Sequence, residues 1–230
     1  MKGDFILNKL LDRLEYKYRR FGIDNLILYI VGAMVMVFVA ALFYPDILTM
    51  LNFDRELILQ GQVWRVLTFL IMPTSTSIIS MIFGTLLIYA FGSSLERTWG
   101  PFRFTVYYFM GAIFNIAAGF VMGYTDNYYL MMSIFLAYAV LFPNDQIYFY
   151  FLIPIKMKWL GMVAGIFMLI SFIFSGLVGK ITIVAVMLNF ILFFGGDFIT
   201  KIVNYFKYKP ARDKFKKNMR EVERRRNDGE

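Results

Sequence analysis

Residues 61–103 read GQVWRVLTFLIMPTSTSIISMIFGTLLIYAFGSSLERTWGPFR, and the rest of the chain is organised around this stretch. It opens with a Trp-Arg pair, Trp64 and Arg65, at the end of an amphipathic loop. An apolar helix is predicted to follow over Ile78 to Gly92. The end of this helix is marked by small and charged residues, namely Gly92, Glu96, Gly100 and Arg103. The stretch therefore predicts one membrane span with a sequence signature at each end.

The composition indicates a polytopic membrane protein. Of 230 residues, 59% are hydrophobic and 17% are charged, and the apolar residues form runs long enough to cross a bilayer. The first run lacks a small-residue cleavage site, so we expect the N-terminus to stay attached. The chain has no Cys and no His. It therefore has no disulfide, no thiolate nucleophile and no imidazole base, and we predict no cofactor and no metal site.

Six apolar runs are predicted to span the membrane. They are Asn25 to Tyr44, Ile78 to Gly92, Phe102 to Met122, Tyr128 to Phe142, Leu160 to Phe174 and Ile181 to Ile199. The fourth run is shorter than the roughly 20 residues that a bilayer requires. We expect residues 46–62 to lie in the outer interface and residues 143–159 to be extended and interfacial. The chain thus divides into an amphipathic segment (1–24), a six-helix membrane domain (25–200) and a basic tail (201–230).

The distribution of positive charge predicts the orientation. Of 24 Lys and Arg residues, 21 fall on the side of the two termini, and Arg55, Arg65 and Lys180 fall on the other. By the positive-inside rule both termini are cytoplasmic. Eleven basic residues lie in the tail from Lys201 to Arg226. Their position directly after a span favours contact with anionic lipid rather than nucleic acid. The frequent Ile, Lys, Asn, Tyr and Phe favour a bacterial plasma membrane, with the endoplasmic reticulum as the alternative.

Polar residues inside the spans require partners. Asn115 and Asn189 are predicted to form hydrogen bonds across helices, with a substrate-facing role as the alternative. The guanidinium of Arg65 is expected to satisfy several loop carbonyls while Trp64 lies at the interface. Glu96 and Arg103 are expected to tie the turn between the second and third spans, with Arg97 as a competing partner.

Several of these motifs, taken in order, resemble those of the rhomboid superfamily. The shared features are the Trp64-Arg65 pair, the Gly-x-x-Leu-Glu pattern from Gly92 to Glu96 with Gly100, Arg103 and Phe104 after it, and Leu-Phe-Pro-Asn around Pro143. The segment from Ile153 to Trp159 and the small residues that end the sixth span also fit. The resemblance covers residues 61–196. It implies the all-α six-helix rhomboid bundle, with the first outer loop lying sideways in the membrane.

The chemistry of active rhomboids is missing from the sequence. That family uses a Ser in a Gly-x-Ser-Gly pattern in the fourth span and a His in the sixth. Here the fourth span has one serine, Ser133, and no glycine, and the nucleophile position falls near Tyr128 instead. The outer mouth of the second span also lacks the His and Asn that line the family's oxyanion site. Without base, nucleophile context or oxyanion donors, the chain resembles a rhomboid pseudoprotease, similar to the derlins and inactive rhomboids.

We therefore expect a non-catalytic protein that binds transmembrane segments of client proteins, in quality control or regulation of membrane proteins. The expected client-contacting polar residues are Ser77, Asn115, Ser133 and Asn189. One alternative is an intramembrane protease that uses Ser133 or a Ser-Lys pair with Lys180. A second alternative is a small-solute transporter.

Overall fold

The computed structural model describes residues 13–149, 153–177, 179–181, 183–185, 187–194 and 219. Most of the expected N-terminal amphipathic segment and nearly all of the basic tail lie outside these residues. Of the N-terminal segment, residues 13–18 are helical and Arg19–Phe21 form a 3-10 turn. A membrane-embedded core can therefore be described almost continuously from residue 13 to residue 194.

The described chain is mostly helical. The helices are α1 (Leu26–Phe43), α2 (Ile47–Leu51), α3 (Arg55–Leu59), α4 (Arg65–Thr68), α5 (Ile78–Trp99), α6 (Pro101–Met122), α7 (Tyr128–Leu141) and α8 (Met157–Phe174), and the described residues of Gly179–Phe194 form α9. Four of them, α1, α5, α6 and α8, are long and apolar enough to cross a membrane, while α7 and α9 are shorter apolar helices. This composition fits an integral membrane protein. The prediction that all six cross the bilayer stays a prediction.

The predicted end of the second span is wrong. Helix α5 continues through Gly92 to Trp99 and ends at Gly100, whose φ of +84° is a backbone conformation that favours glycine. Gly92 instead marks a close helix contact, because a Cβ there would collide with the side chain of Ile27 on α1. The small residue that suggested a helix end is therefore a packing site in the middle of a longer helix.

The loops gather on two faces. The loop face carries residues 44–77, 123–127 and 175–177, where β1 (Phe53–Asp54) pairs antiparallel with β2 (Tyr124–Thr125). The N-terminal face carries residues 22–24, the turn at Gly100 and a hairpin of β3 (Gln146–Phe149) and β4 (Ile153–Lys156). The extended conformation predicted for residues 143–159 is thus confirmed only in part, because α8 already begins at Met157.

Phe53 fixes the loop face to the bundle. Its ring is 1% exposed and makes edge-to-face contacts with Phe69 and Phe120, at centroid distances of 5.6 and 5.4 Å. Gly119 on α6 leaves room for this ring, since a Cβ there would lie 2.7 Å from Phe53 Cε1. The side chain of Asp54 then accepts the backbone N–H groups of Glu56 and Leu57 and caps α3. Sequence periodicity gives no signal for this two-residue ribbon.

We predict that Gly92→Ala lowers the stability of the folded protein. An added methyl group would overpack the contact with Ile27, and overpacking typically lowers the free energy of unfolding by about 1–3 kcal/mol. The readout is the melting temperature of the detergent-purified chain. Gly165→Ala on α8 is the matched control, because nothing lies within 4 Å of a Cβ built there. The α1–α5 contact would be misassigned if the two variants melted at the same temperature.

Candidate functional site

Arg65 is the centre of a hydrogen-bond network in the loop face. Its side chain is 4% exposed. Nη1 donates to the carbonyl of Thr49 at 2.6 Å and to the carbonyl and side-chain oxygen of Asn52 at 3.0 and 2.7 Å. Nε donates to Oε1 of Gln62 at 2.8 Å. The side chain of Arg65 therefore joins α2, the segment after it and the start of α4. A guanidinium can do this because it is planar and has five donors in fixed directions, whereas an ammonium has three donors at a single point.

Trp64 lies at the border of this network. Its indole Nε1 donates to the carbonyl of Met50 at 3.2 Å, while half of the residue is exposed. Nearby apolar side chains in the same segment are exposed as well, including Val63 and Leu67. A half-exposed ring with its polar atom bonded inward is typical of a residue at a membrane interface.

Glu96 and Arg103 do not tie the turn by pairing with each other, nor does Arg97 compete for either in the described structure. Glu96 is buried at the end of α5 and accepts the backbone N–H of Asn25. Arg103 Nε lies 2.8 Å from Oε2 of Glu15. Both side chains reach back to the segment before α1, more than 70 residues earlier in the chain. The turn between α5 and α6 is thus bonded to the N-terminal segment through Glu96 and Arg103. The spacing of these two residues in the sequence does not predict this arrangement.

Ser133 is buried within the bundle on α7. It is 1% exposed, and its hydroxyl donates to the carbonyl of Leu130 at 2.8 Å. The carbonyl of Ser133 accepts from the hydroxyl of Tyr107 at 2.9 Å. These bonds occupy the serine in local helix structure and leave no described base beside it. A hydroxyl in this setting is a weak nucleophile.

The two spanning asparagines are also interior residues. Asn189 on α9 is fully buried, and its Nδ2 donates to the carbonyl of Tyr107 at 3.3 Å. It sits over Gly111, where a Cβ would lie 2.8 Å from that nitrogen. Asn115 is 1% exposed and makes no hydrogen bond in the described structure. The predicted bond across helices is therefore present for Asn189, to a backbone carbonyl, and absent for Asn115.

Tyr107 is a central residue that the sequence did not single out. It is fully buried on α6, joins α7 through its hydroxyl and α9 through its carbonyl, and makes edge-to-face contacts with Trp99 and Phe193 at 5.3 and 4.9 Å. Tyrosine is common in this chain, and only its neighbours in three dimensions distinguish this one.

A cavity of about 380 Å³ opens at the loop face beside the first turn of α7. It is lined by Asn52, Phe69, Met72, Pro73, Thr74, Tyr124, Thr125, Asp126, Asn127, Tyr128 and Met131. The sequence placed the nucleophile position of active rhomboids near Tyr128, and that residue lines this cavity. No serine lines it. The cavity therefore offers room at that position without a hydroxyl of the type that active rhomboids use.

Asn127 forms one wall of this cavity and was missed as a site residue. It precedes an apolar run, which is typical of a helix cap, yet its side chain forms no cap bond. Its Nδ2 instead donates to the carbonyls of Leu70 and Met72, at 3.3 and 2.8 Å.

The hydroxyl of Tyr124, in the same cavity, donates to Asp126 at 3.0 Å. Burial raises the pKa of Tyr124, and the negative charge of Asp126 raises it further. The tyrosine therefore stays protonated as a donor.

Ser77 and Pro143 lie at opposite ends of the bundle. Ser77 precedes α5 on the loop face, is exposed, and donates its backbone N–H to Oγ of Ser75 at 3.1 Å. Pro143 follows α7 on the other face, and its carbonyl accepts the N–H of Lys158 at 3.0 Å. Of the four predicted client-contacting residues, Ser77 alone is accessible in the structure. Asn115, Ser133 and Asn189 are enclosed by helices.

A Ser-Lys pair is not formed around Lys180. Its Nζ lies 5.9 Å from the centre of the Phe172 ring, a cation–π contact, and it makes no hydrogen bond to a described serine. Ser175 is the serine nearest to it in the chain, and its buried hydroxyl has no partner in the described structure. The geometry needed for lysine to act as a base is therefore absent here.

An apolar opening lies between α5 and α8. This lateral groove has a volume of about 440 Å³. It is lined by Leu87, Phe91, Tyr128, Tyr129, Met132, Phe135, Ile147, Leu160, Val163, Ala164, Phe167, Met168 and Ser171. Helix α7 forms its floor, while α5 and α8 form its walls. Met157 and Met168 are the buried residues of α8, and Met168 clusters with Leu136 of α7 and Ile183 of α9, so most of this wall is exposed.

Comparison of the chain with models of known protein families finds no match, and comparison with curated proteins finds no relative either.

We predict that Arg65→Lys destabilises the fold although the charge is kept. Lysine cannot reproduce the planar set of four hydrogen bonds, and leaving buried acceptors unsatisfied costs about 1–3 kcal/mol. Folded yield and melting temperature in detergent are the readouts. Arg55→Lys is the control, because the Arg55 side chain makes a single recorded hydrogen bond, to Phe120 at 3.2 Å. Equal stability of the two variants would show that the Arg65 hydrogen-bond network does not stabilise the loop.

Proposed function

We propose that this chain is a non-catalytic, rhomboid-like membrane protein that binds transmembrane segments of other proteins from the side. The observation that carries the proposal is the lateral groove, a 440 Å³ apolar recess that opens towards lipid between α5 and α8. A single apolar helix from a client is the natural occupant, because its surface resembles that of the surrounding lipid and it fills a recess that straight acyl chains fill poorly.

The exposed surface of α8 supports this role. The helix packs against α7 and β4 and shares a buried cluster with α9 through Met168, yet most of its apolar side chains are exposed, including Val163 and Phe167. In a bilayer no hydrophobic force draws helices together, so association depends on close packing and on hydrogen bonds. The exposed apolar surface of α8 is therefore available for close packing with a client helix.

The polar contacts for a client lie at the loop-face end of the groove. Tyr128 and Tyr129 begin α7 there, and Ser171 lies in the last turns of α8. These three hydroxyls replace the buried Asn115, Ser133 and Asn189 as proposed client contacts. A hydrogen bond between membrane helices contributes about 0.6 kcal/mol. Such contacts favour clients with polar residues near that end, which are the less stable spans.

The short helix α7 adds to this preference. Its 14 residues extend for about 21 Å, against a hydrocarbon thickness of about 30 Å. The bilayer next to the groove is therefore thinned, which reduces the cost of exposing a client's polar group. We infer that the biological role lies in quality control or regulation of membrane proteins.

Charge on the two faces supports the proposed orientation. The described basic residues of the N-terminal face include Arg97, Arg103, Lys156 and Lys158, whereas the loop face has Arg55, Arg65 and Lys180. By the positive-inside rule the N-terminal face is cytoplasmic. Six spans then place both termini in the cytoplasm of a bacterium, and the basic tail contacts anionic lipid.

We predict that a photoreactive benzoylphenylalanine at Val163, in the groove, crosslinks a co-expressed single-span helix of about 20 Leu and Ala residues. The same probe at Leu169, which is exposed on α8 but does not line the groove, is the matched control. One Asn near the loop-face end of the model helix should raise the yield at residue 163 about threefold, as expected for 0.6 kcal/mol. Equal yields at both positions would mean random collision in the lipid phase.

A second prediction concerns catalysis. A fluorophosphonate probe applied to membranes that contain the full chain should give no labelling, because the Ser133 hydroxyl is buried and bonded to Leu130. An active serine protease in parallel membranes controls for the probe. Labelling that Ser133→Ala abolishes would establish a nucleophile and refute the non-catalytic assignment.

A further inference from the structure

A second cavity of about 440 Å³ opens on the N-terminal face, between the start of α1 and the end of α5. It is distinct from the lateral groove and shares no residue with it. Its lining is more polar and contains both hydrogen-bond donors and carboxylates. The lining residues are Asp24, Asn25, Ile27, Leu28, Tyr89, Ser93, Glu96, Arg97, Gly100 and Pro101.

The donor wall is one ridge of α5. Tyr89, Ser93 and Arg97 are spaced four residues apart, so they lie on one side of the helix at steps of about 6 Å. Arg97 is exposed and has no hydrogen bond or ion pair within the described structure. The Ser93 hydroxyl donates to the carbonyl of Ala90 at 3.3 Å, so the Tyr89 hydroxyl and the uncommitted Arg97 guanidinium are the donors left for a ligand, and they suit the oxygens of a phosphate.

Two carboxylates also line the cavity, Asp24 before α1 and Glu96 on α5 itself. Asp24 is exposed and makes no hydrogen bond in the described structure. Glu96 accepts the N–H of Asn25 through Oε1, and its second oxygen has no recorded partner. Two carboxylates beside one guanidinium disfavour a purely anionic ligand. They favour one that carries an ammonium group together with its phosphate.

Apolar stripes continue from this cavity along both helices. On α1, Leu28 lines the cavity and is followed on the same side by the exposed Val35 and Val39. On α5, Tyr89 lines the cavity and is followed towards the loop face by the exposed Leu86 and Ile82. A molecule with its polar group in the cavity would thus have apolar surface available in the direction of the bilayer centre.

We propose that this cavity binds the headgroup of an aminophospholipid. Phosphate oxygens accept from Arg97 and Tyr89, and the primary ammonium donates to the carboxylates of Asp24 and Glu96. The acyl chains follow the two apolar stripes. The shared chemistry is that of phosphoethanolamine, and the stripes identify its source as a membrane lipid. This inference does not rest on client binding, since the two openings share no residue.

The two charge types explain selectivity among lipids. Phosphatidylglycerol has the phosphate but no ammonium, so it meets the carboxylates unpaired. Phosphatidylcholine has a quaternary ammonium, which cannot donate a hydrogen bond. Phosphatidylethanolamine satisfies both the donors and the carboxylates.

The test is a titration of the full detergent-purified chain with these three lipids, followed by native mass spectrometry. Phosphatidylethanolamine should bind most tightly. Arg97→Gln should weaken its binding on the order of tenfold, the loss expected from removing one charge-assisted hydrogen bond. Asp24→Asn should reduce the preference for phosphatidylethanolamine over phosphatidylglycerol. Lys180→Gln, which removes a cation on the other face, should bind like the unmodified chain.

Three results would overturn the proposal. One is equal binding of phosphatidylcholine and phosphatidylethanolamine. Another is unchanged binding by Arg97→Gln with an unchanged melting temperature. The third is competition by soluble phosphoethanolamine at the concentration at which the lipid binds, which would identify a water-soluble ligand instead. None of these outcomes depends on whether the groove crosslinks a client.

Discussion

A helix of fourteen residues at the centre of the bundle cannot reach both sides of an ordinary bilayer, and much of the structure serves to cover its ends. Helix α7 packs against α5, α6 and α8. At one end, Asn127 bonds to the carbonyls of Leu70 and Met72 in the loop face. At the other end, the β3–β4 hairpin follows directly, and Met157 N–H donates to Asp145 across it. Non-helical backbone at such depth is tolerated where protein or water satisfies its polar groups.

This arrangement separates the polar residues into two classes. Ser133 and Asn189 lie inside the bundle and are bonded to backbone carbonyls of neighbouring turns and helices, while Asn115 is enclosed there without a partner in the described structure. Those at the openings, such as Tyr128 and Arg97, remain available to a ligand. Polar groups inside membrane helices are often read as functional, but here the accessible ones lie at the ends of helices. The proposed client groove and the proposed lipid site both follow from that division.

Hydropathy was sufficient to predict the helical runs, because α1, α6 and α7 begin and end within about two residues of the predicted bounds. It was not sufficient for the end of α5 or the start of α8. Gly92 signals close packing rather than a helix end, and only the position of Ile27 reveals it. The rhomboid resemblance stays a prediction, since no comparison tests it.

Partners that lie far apart in sequence explain the rest of what sequence reasoning missed. Glu96 and Arg103 are close enough in the chain to suggest a mutual ion pair, yet each bonds to residues before α1. Arg65 was expected to satisfy loop carbonyls, and the structure contains those bonds because its acceptors lie within the same loop. Contacts within one loop are thus predictable from residue chemistry, while contacts between spans depend on the packing.

The central claim is that a client enters the opening between α5 and α8, and closing that opening tests it most directly. Because the chain has no cysteine, Leu87→Cys and Val163→Cys place a unique pair of thiols on the two walls, which a bifunctional maleimide can join. The measurement is co-purification of the Asn-containing model helix before and after joining. The account predicts that joining abolishes co-purification and that each single cysteine, treated alike, retains it. Unchanged co-purification by the joined protein would contradict the account.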